Sequence, residues 1–157
     1  MKTPSLALLA LTLSLSACTA ISPVHEPTKA TAMTHTNLVS PYDFNTTVSR
    51  LKSAIQSKGM TVFATIDHAK AAQDDGMTMQ PATVIIYGSP KAGTPLMKKD
   101  PAFALALPLK VLITETDGQV QVIYTPANEL IKGSQIQPSD VEDTLANAEK
   151  LIRSVLQ

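Results

Sequence analysis

The chain has 157 residues, and its thirteen Lys and Arg balance thirteen Asp and Glu, so the formal charge at neutral pH is zero. Apart from the pair Lys98-Lys99 the basic residues are scattered singly, which excludes the clustered Lys and Arg footprint of a nucleic-acid binder. A single cysteine, Cys18, excludes an intrachain disulfide framework, a Cys-x-x-Cys redox pair and a thiolate metal site.

Met1-Lys2 precedes an apolar run from Leu6 to Leu15, and Leu15-Ser16-Ala17-Cys18 follows. A positive start, a short apolar stretch and small residues before a cleavage point read as a secretory signal over residues 1–17. The run is shorter than the roughly 20 residues a membrane span needs. Leu-Ser-Ala-Cys is similar to the bacterial lipobox, which makes Cys18 the acylated residue, carrying a chain such as palmitate, at the mature N-terminus. Thr19 stands where an aspartate would resemble an inner-membrane retention signal. The expected location is therefore the outer membrane, facing the periplasm. Residues 18–33, rich in Pro, Thr, Ser and Ala, read as a flexible tether, reaching roughly 20 Å. His25 and His35 have no partner at ligand spacing and read as solvated.

Residues 34–157 read as one domain of about 120 residues, enough to bury well over half of its unfolded surface. Thr34 to Val39 is a first strand. Asp43 then caps a helix whose Phe44, Val48, Leu51 and Ile55 form one apolar stripe. Gly59 supplies its left-handed stop. Met60 to Ile66 is a second strand, with Val62, Ala64 and Ile66 on one face and Thr61, Phe63 and Thr65 on the other. Asp67 caps a short helix that ends at Gly76.

Ala82 to Tyr87 is a third strand. It is followed by a loop broken by Gly88, Pro90 and Gly93, and by a helix with Thr94 as N-cap and Pro95 at the first position. Asp100-Pro101 ends that helix, and Ala102 to Leu107 gives a further turn. Leu109 to Glu115 and Gln119 to Tyr124 form a hairpin around Asp117-Gly118. Ser139-x-x-Glu142 reads as a capping box for a C-terminal helix with the stripe Val141, Leu145, Ala148, Ile152 and Val155. The order strand, helix, four strands, helix predicts an α+β domain with helices on one face of an antiparallel sheet.

Four blocks then carry a resemblance: Ile66-Asp67-His68-Ala69, Tyr87-Gly88-Ser89-Pro90, Gly93-Thr94-Pro95-Leu96-Met97 and Leu107-Pro108-Leu109-Lys110-Val111-Leu112. In that order the chain resembles the domain-of-unknown-function 302 family. The resemblance implies a β-α-β4-α arrangement similar to the TATA-binding-protein fold and a pocket region, without implying a reaction. The family is usually found with Phe-Gly-Asn-Pro where this chain has Tyr87-Gly88-Ser89-Pro90.

The strand-to-helix turn after Tyr87 is the expected site. Its candidate residues are His68, Tyr87, Ser89, Lys91, Gly93, Thr94 and Met97. His68 is read either as a general base or ligand facing the turn, or as a partly buried, hydrogen-bonded residue. Lys91 and the N–H groups near Gly93 and Thr94 can receive an anion, yet the glycines and Lys-Ser/Thr ending of a phosphate loop are absent. Ser89 lacks a Gly-x-Ser-x-Gly setting. Met77, Met79, Met60, Met97 and His68 invite a Cu(I) reading, because thioethers are soft ligands. Alternation instead places Met77 and Met79 in the core, and no metal or cofactor is expected.

Three functions follow. The first is a non-enzymatic envelope lipoprotein whose domain binds a small ligand or a protein partner at the turn. The second is an enzyme using His68 with Tyr87 or Lys91, which requires His68 within ~3 Å of another titratable group. The third is a structural protein that forms homodimers.

Overall fold

A computed structural model describes residues 34–157. The expected signal, tether and Cys18 lie outside the described residues. Five strands form one antiparallel sheet in the order β1-β5-β4-β3-β2: β1 Thr36–Val39, β2 Thr61–Asp67, β3 Ala82–Gly88, β4 Leu109–Thr116 and β5 Gln119–Tyr124. The α+β architecture with an antiparallel sheet is the one expected. Two long helices, α1 Phe44–Ser57 and α6 Leu145–Val155, cover one face.

Local chemistry explains most boundaries. At the start of α1, Asp43 Oδ1 accepts the Thr46 N–H at 2.8 Å and Oδ2 accepts the Thr46 hydroxyl at 2.7 Å. Asp67 caps α2, His68–Asp74, by accepting the Lys70 N–H at 2.9 Å. Asp117 and Gly118 both take positive φ, 53° and 74°, as a two-residue hairpin of the I′ type requires.

The main core lies between the sheet and the helices α1 and α6. Leu51 and Ile55 of α1 and Leu151 and Ile152 of α6 meet Ile85, Tyr87, Val111, Ile113, Val122 and Tyr124 from alternate positions of the strands. Removing any one large side chain from such a layer costs about 2–5 kcal/mol.

Edge strand β2 departs from simple alternation. Val62 pairs with Tyr87 and Ala64 with Ile86, which leaves Phe63 as an inserted bulge residue. The extra residue reverses the phase, so Val62 shares the helix-covered face while Ala64 and Ile66 stand on the opposite face beside Ile86 and Val84. The expected common face for Val62, Ala64 and Ile66 is corrected accordingly.

Two helix starts also differ from the sequence reading. Helix α3 runs from Pro90 to Lys99, with Ser89 as N-cap and Pro90 in the first turn. Thr94 and Pro95 lie inside it, and Gly93 is a buried helical residue rather than a loop breaker. Ser89-Pro90 has the same cap-then-proline chemistry as Thr94-Pro95, and the earlier pair starts the helix. In the C-terminal segment the apolar stripe is divided between α5, Pro138–Val141, and α6. The Asp140 side chain accepts the Gln137 N–H at 2.7 Å, so the reciprocal contact falls two residues before the expected Ser139–Glu142 box. A short helix α4, Ala127–Leu130, was not foreseen.

Met77 and Met79 are not core residues. They lie between α2 and β3 outside any strand, 59% and 42% exposed. The alternation that predicts burial applies only within a paired strand.

A second apolar cluster joins Leu96 of α3, Phe103 of the 3-10 turn Pro101–Leu105, Ala127 and Ile131, Ile136, Val141 and Leu145. Asp100, 8% exposed, ties it together. Its Oδ1 accepts the Ala102 N–H and its Oδ2 the Gln135 N–H, each at 3.0 Å, while its own N–H closes the last turn of α3 on Leu96 O.

Two outcomes follow. Asp100→Ala strips the acceptor from two backbone donors and lowers stability by about 2–3 kcal/mol, a fall in melting temperature of roughly 5–15 °C; an unchanged melting temperature contradicts the role given to this carboxylate. Hydrogen bonds from the Thr46 backbone and side chain hold the Asp43 carboxyl below its ordinary value. Its contribution is therefore present above the unfolded-state value and is lost as pH falls through the folded-state value. Thermal melts taken from about pH 6 down to about pH 2 should show a smaller acid-induced loss for Asp43→Ala than for the parent chain.

Candidate functional site

The end of the sheet where β3 stops and β4 begins carries a cleft of about 450 Å³. One wall is Met60 and Phe63, at the start and bulge of β2. Opposite them stand Ser89, Ala92, Gly93, Thr94 and Met97 of α3 and its cap. Leu107, Pro108 and Leu109 form the floor, and Thr144, Leu145 and Ala148 at the start of α6 close the side. The bulge directs Phe63 toward this end of the sheet, where its ring comes within 3.6 Å of the Cβ position of Gly88. The Leu107–Pro108 peptide is cis.

Carbon dominates the lining. None of the lining residues is ionisable, and their polar side chains are the hydroxyls of Ser89, Thr94 and Thr144. Gly93 sets the closeness of α3 to the floor: a Cβ there would lie 3.2 Å from Leu107 Cδ1 and 3.8 Å from Met97 Cε. Such an apolar recess with a few hydroxyls suits binding of an uncharged surface, and its volume falls within the range of small-molecule sites.

Of the expected site residues, Ser89, Gly93, Thr94 and Met97 border this cleft and His68, Tyr87 and Lys91 do not. His68 follows Asp67, which pairs with Thr83, whereas the cleft lies beside Gly88 at the other end of β3. Five residues of strand separate those ends by ~17 Å. His68 is exposed, so neither the turn-facing reading nor the partly buried one describes it. Tyr87 points into the main core, 2% exposed. Burial, reinforced by Tyr124 and the Glu149 carboxylate, pushes its hydroxyl well above the ordinary phenol value. Lys91 is exposed and borders a separate shallow depression on the outer side of α3, with Pro95 and Lys98. The imidazole, the phenol and the ammonium therefore do not meet.

The sequence reading missed Phe63, Leu107, Pro108, Thr144, Leu145 and Ala148 as lining residues. A large aromatic on the otherwise polar face of β2 was the available signal for Phe63. Leu145 and Ala148 were visible only as members of a helix stripe, which assigns them to a core without saying which part of it is left open.

The family model described as Domain of unknown function DUF302 matches residues 36–157. Over 79 residues the chain is 37% identical to the protein named Fluoride-specific ion channel FluC 1 of Brucella suis biovar 1, a match that covers 50% of this chain and 31% of that protein. Fluoride-specific ion channel FluC 2 of Brucella melitensis biotype 1 matches at 37% identity over 79 residues, covering 50% of this chain and 29% of that protein. The match thus spans less than a third of these curated relatives. Among solved structures, the uncharacterized conserved protein DUF302 from Bacillus stearothermophilus superimposes with a TM-score of 0.66 at 19% identity, over 80% of this chain and 97% of that one. That likeness concerns the fold. With the family model covering nearly all of the described domain, the chain belongs to the DUF302 family, a family of unknown function.

Proposed function

We propose that this chain is a cell-envelope lipoprotein, acylated at Cys18 and held at the outer membrane facing the periplasm, whose domain binds a small apolar molecule without transforming it. One observation carries the binding reading: the 450 Å³ cleft at the end of the sheet is walled by carbon and by three hydroxyls. Burying an apolar ligand there gains about 25 cal/mol for each Å² removed from water, before the entropy of association is subtracted. An acid–base mechanism needs a titratable group within hydrogen-bond reach of the reacting atom. The cleft lining offers none, and His68, Tyr87 and Lys91 are dispersed, so the enzyme reading has no support in the geometry.

The lipoprotein part of the proposal rests on the Leu15-Ser16-Ala17-Cys18 motif and the Pro- and Thr-rich stretch after it. The channel names belong to relatives that the chain matches over under a third of their length. Among the described residues no helix is long and apolar enough to cross a membrane.

The uncharged fluorescent probe N-phenyl-1-naphthylamine tests binding. The parent chain should give a saturable, blue-shifted signal. Ala92→Phe, which fills the cleft from the α3 wall, should weaken the probe by at least about tenfold, or ~1.4 kcal/mol, at an unchanged melting temperature. His68→Ala and Lys91→Ala should bind as the parent does. Equal binding by Ala92→Phe, or no saturable signal from the parent, overturns the proposal. For the anchor, cells fed radiolabelled palmitate should label the parent chain and not Cys18→Ser; equal labelling of both contradicts acylation at that residue.

A further inference from the structure

Large hydrophobic side chains left in solvent are few among the described residues, and two of them are methionines two positions apart. Met77 and Met79 lie in the irregular segment between α2 and β3. The segment leaves α2 through Gly76, whose φ is +74°, and the Met77 N–H donates to Ala72 O at 2.8 Å, which fixes where it begins. Both methionines border one shallow depression, together with Asp67, Lys70 and Gln73. Packing does not account for them, since they are 59% and 42% exposed.

A thioether is a neutral, polarizable donor that does not titrate in water, and it selects soft ions over Mg, Ca or Mn. Met77, Thr78 and Met79 all border the same depression, so both thioethers belong to one patch of surface. Of the charged residues that border the depression, Lys70 is paired with Asp74 on the same helix, which leaves the Asp67 carboxylate beside the two thioethers. A closed-shell monovalent ion that accepts low coordination numbers fits two sulfurs, and water or a second macromolecule can complete its shell.

We infer that Met77 and Met79 form a surface site for a Cu(I) ion, separate from the apolar cleft and independent of the ligand it holds. The cleft has methionines of its own, Met60 and Met97, and these serve as internal controls.

The test uses the full-length chain carrying Cys18→Ala, so that no thiol competes. Cu(I) is supplied without oxygen and competed against bicinchoninate. The site predicts uptake of one ion per chain. Met77→Leu and Met79→Leu should each weaken it at least about tenfold, the lower limit of what even outer-sphere changes do to a metal site. The double variant should abolish uptake, and Met60→Leu should leave it intact. Because leucine replaces methionine in solvent, the melting temperature should not move. In a second measurement, Ag(I) added to methyl-labelled protein should shift the Met77 and Met79 ε-methyl signals and leave those of Met60 and Met97 in place. Absence of uptake, uptake that survives the double variant, or Ag(I) shifts confined to Met60 and Met97 overturns the inference.

Discussion

A buried carboxylate governs the end of the molecule where the cleft lies. Asp100 accepts two backbone N–H groups from segments 33 residues apart, at Ala102 and Gln135, and its own amide ends α3. A charge-assisted acceptor of this kind is stronger than a neutral one and costly to leave unmatched. It fixes the loop after α4 to the turn after α3, while a Lys99–Asp140 ion pair joins α3 to α5 and the Ala127 N–H, donated to Glu149, joins α4 to α6. Leu96 and Leu145 belong to that cluster, and their neighbours Met97, Thr144 and Ala148 face the cleft. The shape of the recess is thus set from behind, by a polar contact that no ligand touches.

The cleft itself exists because three elements stop short of one another. The sheet ends at Gly88 and Leu109, α6 begins at Leu145, and α3 approaches the floor as closely as its glycine allows. The bulge at Phe63 adds the remaining wall by turning an aromatic ring out of alternation. An apolar recess this large is a cost to the free protein, since its lining forfeits contacts that a filled core would have.

Much of the fold was legible in the sequence. Asp43, Gly59, Asp67 and Asp117-Gly118 each act through a local rule, a cap or a positive φ, and each stands where its residue type indicates. The β4–β5 pairing follows from the tight turn at Asp117-Gly118, whereas the place of β1 beside β5 is a long-range pairing that no short connection dictates. Failures came where two local signals competed or where the outcome is not local. Ser89-Pro90 and Thr94-Pro95 are equivalent starts by sequence, and the earlier pair begins the helix. The phase of β2 depended on one inserted residue that no periodicity reveals. The site was half legible: the turn after β3 does border the cleft, whereas the place of His68 depends on which strand ends lie side by side, which no local motif carries. Antiparallel pairing sets the end of β2 beside the start of β3, at the opposite end of the sheet from the cleft.

Met60 and Met97 report on the cleft from facing walls, which makes their ε-methyl groups the most direct probes of the central claim. Titration of methyl-labelled protein with N-phenyl-1-naphthylamine, followed by NMR, should shift both signals together and produce nuclear Overhauser contacts between the probe and Met60, Met97 and Phe63. Shifts that spare those two methyls, or contacts that fall instead on the exposed sheet residues Val39 and Ile66, would contradict a ligand site in the cleft.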